Sequence, residues 1–194
     1  MNYTERYTRT AIALHWLAAV LIIGNLCWGL YMVSLEFSPA KLKYYSWHKW
    51  TGVTIFVLAA ARLLWRLRHP APALPAHMPA WESRAAHASH ILLYVLFFAG
   101  PLTGWLFSSA VGFQTVWFGV LPIPDLIGKD RELADVLKIV HRSTVYTLGV
   151  LIAVHAAAAL KHHFFDRDDV LVRMLPFLKP RPPAPTPSVL PPTP

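Results

Sequence analysis

Four stretches of this chain run long, apolar and nearly free of charge: Ala11–Val33, His48–Trp65, Ala86–Ser108 and His141–Leu160. Each has the roughly 17–25 residues that an α-helix needs to cross a bilayer core. The second is the least apolar, with Lys49 near one end and Arg62 near the other. Long basic side chains can reach the interface along their own stems, so the span stands. The first is too long and too rich in aromatic residues for a cleaved leader, and the pattern expects it to stay. Polar segments join the four, and no repeat is visible. The expectation is an all-α, integral membrane four-helix bundle in one domain over 1–176. The remainder, 177–194, is proline-rich, with eight prolines in LKPRPPAPTPSVLPPTP. Proline lacks the N–H a helix needs, so a disordered tail is expected there.

Composition supports the membrane reading. Hydrophobic residues make up 55% and charged residues 14%, against about 25% charged in a soluble domain. With the N-terminus inside, eleven of the 18 Lys and Arg fall on the cytoplasmic side. Both termini are therefore expected in the cytoplasm. The net charge of +8 is read as this bias meeting anionic membrane lipid, not as a nucleic-acid surface.

That orientation assigns each histidine a depth. His48 and His141 open the second and fourth spans on the outer side, whereas His15 and His155 lie near the inner side. His141 and His155 are 14 residues apart, close to four helical turns, so they share a face with roughly 21 Å between them. Imidazoles buried in hydrocarbon need partners. The single cysteine, Cys27, and the lack of a carboxylate in either pair argue against a structural zinc site. Two imidazoles on either side of a flat macrocycle are the axial set of a six-coordinate haem, and a bundle with small residues offers the slot. Gly24, Gly29, Gly52 and Gly149 are the candidates for it. No C-x-x-C-H motif is present, so two non-covalent, b-type haems are expected. His87, His90, His162 and His163 stay open as alternative ligands.

Several motifs carry a resemblance. They are YTRTAIALHWL with its His15–Trp16 pair, the R-L-x-x-R-x-x-x-P run from Arg62 to Pro70, AAHASHILLYVLFFAGPLTGW, and the H-A-A-A-A-L-x-H-H block from His155 to His163. From about Tyr3 to Pro176 the chain resembles the bacterial cytochrome b561 family, itself similar to the cytochrome b subunits of nickel–iron hydrogenases and formate dehydrogenases. The resemblance implies that His15, His48, His141 and His155 are the haem-iron ligands. It points further to the superoxide oxidase branch, in which superoxide is oxidised at the periplasmic side and its electrons pass through two haems to ubiquinone.

The chemistry of that reaction suggests roles. Superoxide is an anion, and Lys49 and Arg142 directly follow presumed outer ligands, which makes them the candidate catalytic cations, with Lys41 and Lys43 nearby. Arg62 and Arg66 suit the propionates of an inner haem, since a guanidinium pairs both oxygens of a carboxylate. His162, with His163, His90, Ser89 and Arg9 at a similar level, is the candidate contact and proton donor for ubiquinone. The alternative is an electron-transfer anchor subunit whose outer loop, WFGVLPIPDLIGKDRELADV, docks a periplasmic redox partner such as a dehydrogenase. A third reading is a non-redox membrane protein whose histidines bind metal ions or protons.

Overall fold

Two caps set the first two helices. The Thr8 hydroxyl accepts from the Ala11 N–H to start α1 (Arg9–Ser34), and Ser38 accepts from the Lys41 N–H to start α2 (Pro39–Arg68), with proline in the first turn where its missing N–H costs nothing. Then come α3 (Ala80–Val111), a hairpin of β1 (Thr115–Trp117) and β2 (Leu121–Ile123), and α4 (Arg131–Lys161), which runs on into a π-helical turn, His162–Asp166. This computed structural model describes residues 6–75, 78–175 and 177–178. Apart from 177 and 178, the expected proline-rich tail lies outside the described residues.

All four helices are long and apolar enough to cross a membrane, and the molecule is a four-helix membrane bundle. Their apolar side chains are largely turned outward: Val20, Ile91 and Val150 are each 66% exposed, as expected where lipid is the solvent. The helices outrun the apolar spans at every end. The largest difference is α4, which begins at Arg131, ten residues before the expected span. Hydropathy marks where lipid stops, whereas a helix backbone can continue into water when its end is capped. Here Asp130 caps it by accepting the Leu133 N–H at 3.0 Å, with Glu132 in the first turn.

Helices adjacent in sequence pack on one another: α1 on α2, α2 on α3, α3 on α4. The circle does not close tightly. α4 meets α1 only slightly and α2 no more than that. One apolar core nevertheless links all four helices through Ala18, Ile22, Ile55, Ala59, Leu93, Leu96, Phe97 and Leu148. It lies midway along the bundle, so Leu148 on α4 sits halfway between His141 and His155.

Each end has its own cover. α3 ends at Gly112, whose φ of 77° is the left-handed backbone that glycine adopts without strain. The hairpin follows, turning at Phe118 and Gly119, both with positive φ. It leans on α2: Trp117 Nε1 donates to the Thr54 hydroxyl at 3.3 Å, and the Trp50 and Phe118 rings meet at 5.6 Å. At the opposite end the chain folds back beneath the bundle after α4. Trp16 Nε1 donates to the Met174 carbonyl at 2.8 Å, Arg173 donates to the Ala73 carbonyl, and Val172 is buried.

Ala59, 1% exposed, lies where the helix backbones approach. Ala59→Leu should cost about 1–3 kcal/mol through overpacking, measured as a lower unfolding midpoint in detergent. An unchanged midpoint would place this contact outside the core that holds the bundle.

Candidate functional site

Two histidine pairs bridge the faces that the helices leave unpacked. His48 on α2 faces His141 on α4, and His15 on α1 faces His155 on α4. In both pairs the ring centroids are 6.3 Å apart. Two imidazoles bonded through nitrogen to opposite sides of one ion, at about 2 Å per bond, keep their centres about 6 Å apart. Direct stacking would bring them closer. His90 on α3 also approaches His155, but edge to face at 5.4 Å, nearer than two ligands on opposite sides of one ion would lie.

The hairpin-side pair rests on glycines. A Cβ at Gly29 would lie 3.1 Å from His48 Cε1, and one at Gly104 would lie 3.0 Å from His141 Cε1. Both rings therefore lie against the bare backbone of a neighbouring helix. His141 Nδ1 is 3.1 Å from the Gly100 carbonyl and 3.2 Å from the Thr103 hydroxyl. A carbonyl only accepts, so this nitrogen carries the proton and Nε2 keeps a lone pair, the arrangement of a metal-binding histidine. His48 Nδ1 is buried without a hydrogen bond, with the Asn25 backbone beside it. Of the other glycines expected to form the slot, Gly24 and Gly52 look onto open space, and Gly149 has only Leu26 nearby.

The second pair meets a cation. An Arg62 nitrogen is 2.8 Å from His15 Nδ1, and its guanidinium lies over the Tyr94 and Phe97 rings. Arginine can only donate, so Nδ1 is the acceptor here. A ring that binds metal through Nε2 carries its proton on Nδ1 instead. With His15 so engaged, Arg62 must turn to another acceptor. Arg66, one turn on, is exposed.

The other expected site residues are placed as follows. Lys49 reaches over to the loop after α3, where its ammonium donates to the carbonyls of Phe113 and Gln114 at 2.7 and 3.1 Å and to the Ser108 hydroxyl at 3.1 Å. It thus ties the hairpin segment to the helix that carries His48. Arg142 is exposed and lies over the Tyr146 ring. His162 is held through Nδ1 by the Asp168 carboxylate at 2.7 Å. His87 Nδ1 bonds the Ser83 carbonyl on its own helix.

The reading from sequence missed Gly104, Thr103 and the Gly100 carbonyl, which together seat His141. The signal available was the string GPLTGW in α3. Pro101 removes a helix N–H there, and two glycines flank it, a combination that opens backbone to a neighbour. It also missed Asp168, whose partnership depends on a chain reversal.

The site is thus a pair of stacked slots, each flanked by two imidazoles inside an apolar bundle, a donor set that fits a six-coordinate macrocycle. The family model for prokaryotic cytochrome b561 matches residues 6–177. "Cytochrome b561 homolog 2" of Escherichia coli (strain K12) is 36% identical over 176 residues, 90% of this chain and 93% of that protein. "Cytochrome b561 homolog 1" of the same organism is 31% identical over 173 residues, 89% and 98% of the two chains. "Probable superoxide oxidase CybB" of Yersinia pestis is 32% identical over 179 residues, covering 89% of this chain and 97% of its own. The chain belongs to the prokaryotic cytochrome b561 family, multi-pass membrane electron-transfer proteins of oxidoreductase type that bind b-type haem.

Proposed function

We propose that this chain is a di-haem superoxide:quinone oxidoreductase of the bacterial inner membrane, with both termini cytoplasmic and the hairpin periplasmic. The observation that carries the reading is the pair of matched imidazole sites on one face of α4. His48 and His141 hold a haem near the periplasm, and His15 and His155 hold one near the cytoplasm. When bound, each haem supplies one-electron iron chemistry. The relative named for superoxide oxidation, similar along nearly the whole chain, supports the choice of substrate.

The protein's own residues supply binding and electrostatics. Arg142 and Lys49 place positive charge beside the periplasmic pair, which favours the approach of an anion. Lys49 keeps its charge while bonded to carbonyl oxygens, so it can hold the hairpin segment and still contribute to that field. Arg62, freed when His15 binds metal, and Arg66 are the cations for haem propionates at the cytoplasmic pair. His162 contacts ubiquinone at that end. Ile55, Phe97 and Leu148 keep the space between the two levels apolar. Two superoxide ions, one quinone and two protons give two dioxygen molecules and one quinol.

The deciding experiment follows visible spectra of the purified protein as superoxide is supplied, with and without a soluble quinone. Wild type should contain two low-spin haems per chain, reduce them with superoxide and reoxidise them with quinone. His155→Ala should lose the cytoplasmic haem, still accept electrons from superoxide and fail to pass them on. Haems that superoxide never reduces would sink this reading and favour an anchor subunit for a periplasmic dehydrogenase.

Gly104→Val should push the His141 ring out of its seat. The expected result is loss of about half the haem by pyridine haemochrome, with helical content unchanged by circular dichroism. Full haem content would show that the close approach of Gly104 is unnecessary.

Superoxide reduction of the haem should slow as salt rises, because exposed charges are screened beyond about 8–10 Å. Arg142→Gln should lower both the rate and its salt dependence. Identical rates for the two proteins at every ionic strength would remove steering by Arg142 from the account.

A further inference from the structure

The π-helical turn His162–Asp166 ends in a reversal. Arg167 takes the left-handed backbone, φ 55°, and its N–H returns to the His162 carbonyl. That reversal brings Asp168 back against His162. Left-handed backbone is strained for a residue other than glycine, and π-turns recur where a side chain has a task.

Charged groups from several segments gather about His162. Glu82 comes from α3, Lys161 from the end of α4, and Asp166 and Asp168 from the turn and the reversal. The Lys161 ammonium sits between Glu82 and Asp166, 2.8 and 2.9 Å from their oxygens. Glu82, Asp166 and His162 bring potential metal ligands together, but the ammonium already provides their counter-charge. Asp168 differs from the other two. Its side chain is 4% exposed against 27% for Asp166, one oxygen accepts the Val170 N–H at 3.0 Å, and the other lies 2.7 Å from His162 Nδ1, nearer than the Asp166 oxygen at 3.0 Å, which also holds Lys161.

We propose that the buried Asp168 carboxylate positions His162 as the proton donor for quinone reduction. The inference rests on the proposed quinone chemistry at this end and deepens it. With Nδ1–H turned to carboxylates, Asp168 the nearer at 2.7 Å and Asp166 at 3.0 Å, the neutral ring has its lone pair on Nε2, and the imidazolium carries its transferable proton there. As the quinone takes two electrons, one from each of two superoxide ions, it needs two protons on its oxygens. His162 gives a proton from Nε2 to a quinone oxygen and recovers one from water at the cytoplasmic face before giving the next. Asp168 keeps its charge throughout, holding the ring's orientation and stabilising its protonated form.

The test uses full-length, haem-loaded protein and a soluble short-chain quinone. Asp168→Asn keeps the size of the side chain but removes its charge. Superoxide should reduce its haems as fast as those of wild type. Quinone-dependent reoxidation should slow by about 10–100-fold, the usual effect of losing the partner that orients a functional histidine. KM for quinone and quinone binding by calorimetry should stay within about threefold of wild type. Asp168→Glu, which retains the charge, should recover part of the rate and covers the case in which the Asn variant does not fold. His162→Ala and the double variant should be equally slow, since the two residues act as one unit. Wild-type reoxidation rates in Asp168→Asn, or additive losses in the double variant, would overturn the proposal. A wild-type protein that superoxide reduces but quinone cannot reoxidise would refute the quinone reading itself, and this inference with it.

Discussion

The structure depends on the cost of an imidazole in hydrocarbon. A histidine ring inside a membrane bundle must find a partner or lose several kcal/mol of hydration, with little water to compensate. This chain carries two such rings on one face of α4 and sets another ring opposite each. Much of the rest of the architecture follows. The helices carrying the opposing rings hold back from α4, glycines stand where a ring must lie against backbone, and α3 takes on most of the packing that α4 does not share with α1 and α2. An all-Leu seam would pack more tightly but would leave no space for a flat cofactor.

The two levels solve the same problem with different surroundings. On the hairpin side, a backbone carbonyl and a hydroxyl fix the His141 tautomer, and the rings are seated by bare backbone. On the other side, His15 meets a guanidinium, His90 adds a third imidazole, and charged residues gather below. The first environment pairs neutral backbone and hydroxyl seats for the rings with the cations Lys49 and Arg142 nearby, whereas the second gathers Arg62, a third imidazole and several carboxylates. In the reaction we propose, these two surroundings would serve different halves, one that needs only electrons and one that needs electrons and protons.

What could be read from the sequence had a local period. The 14-residue step from His141 to His155 places both rings on one face of any helix, and the apolar runs give four spans, so depth suggests the two pairs, while the choice over His87, His90, His162 and His163 rests on the family resemblance. Features that depend on pairing between distant segments were not legible. Nothing near Gly104 says that His141 will rest on it, because that contact requires the register of α3 against α4. The hairpin has strands of three residues, one containing Pro122, too short to alternate visibly. The early start of α4 had a local signal in Asp130 and Glu132, but a hydropathy reading stops at the membrane edge. Asp168 is hidden for a further reason: three carboxylates lie within four residues, at Asp166, Asp168 and Asp169, and only the left-handed turn at Arg167 decides which of them is buried.

Because α4 supplies one ring to each pair and is the last helix of the bundle, neither site exists while the first three helices are being made. The segment that closes the lower end, through Trp16 and Met174, is made later still. Biogenesis therefore has a built-in order. Three helices enter the membrane with half-formed sites, insertion of α4 completes both at once, and the floor shuts behind it. A chain stalled before α4 would lack one imidazole of each pair, so both slots await the last helix.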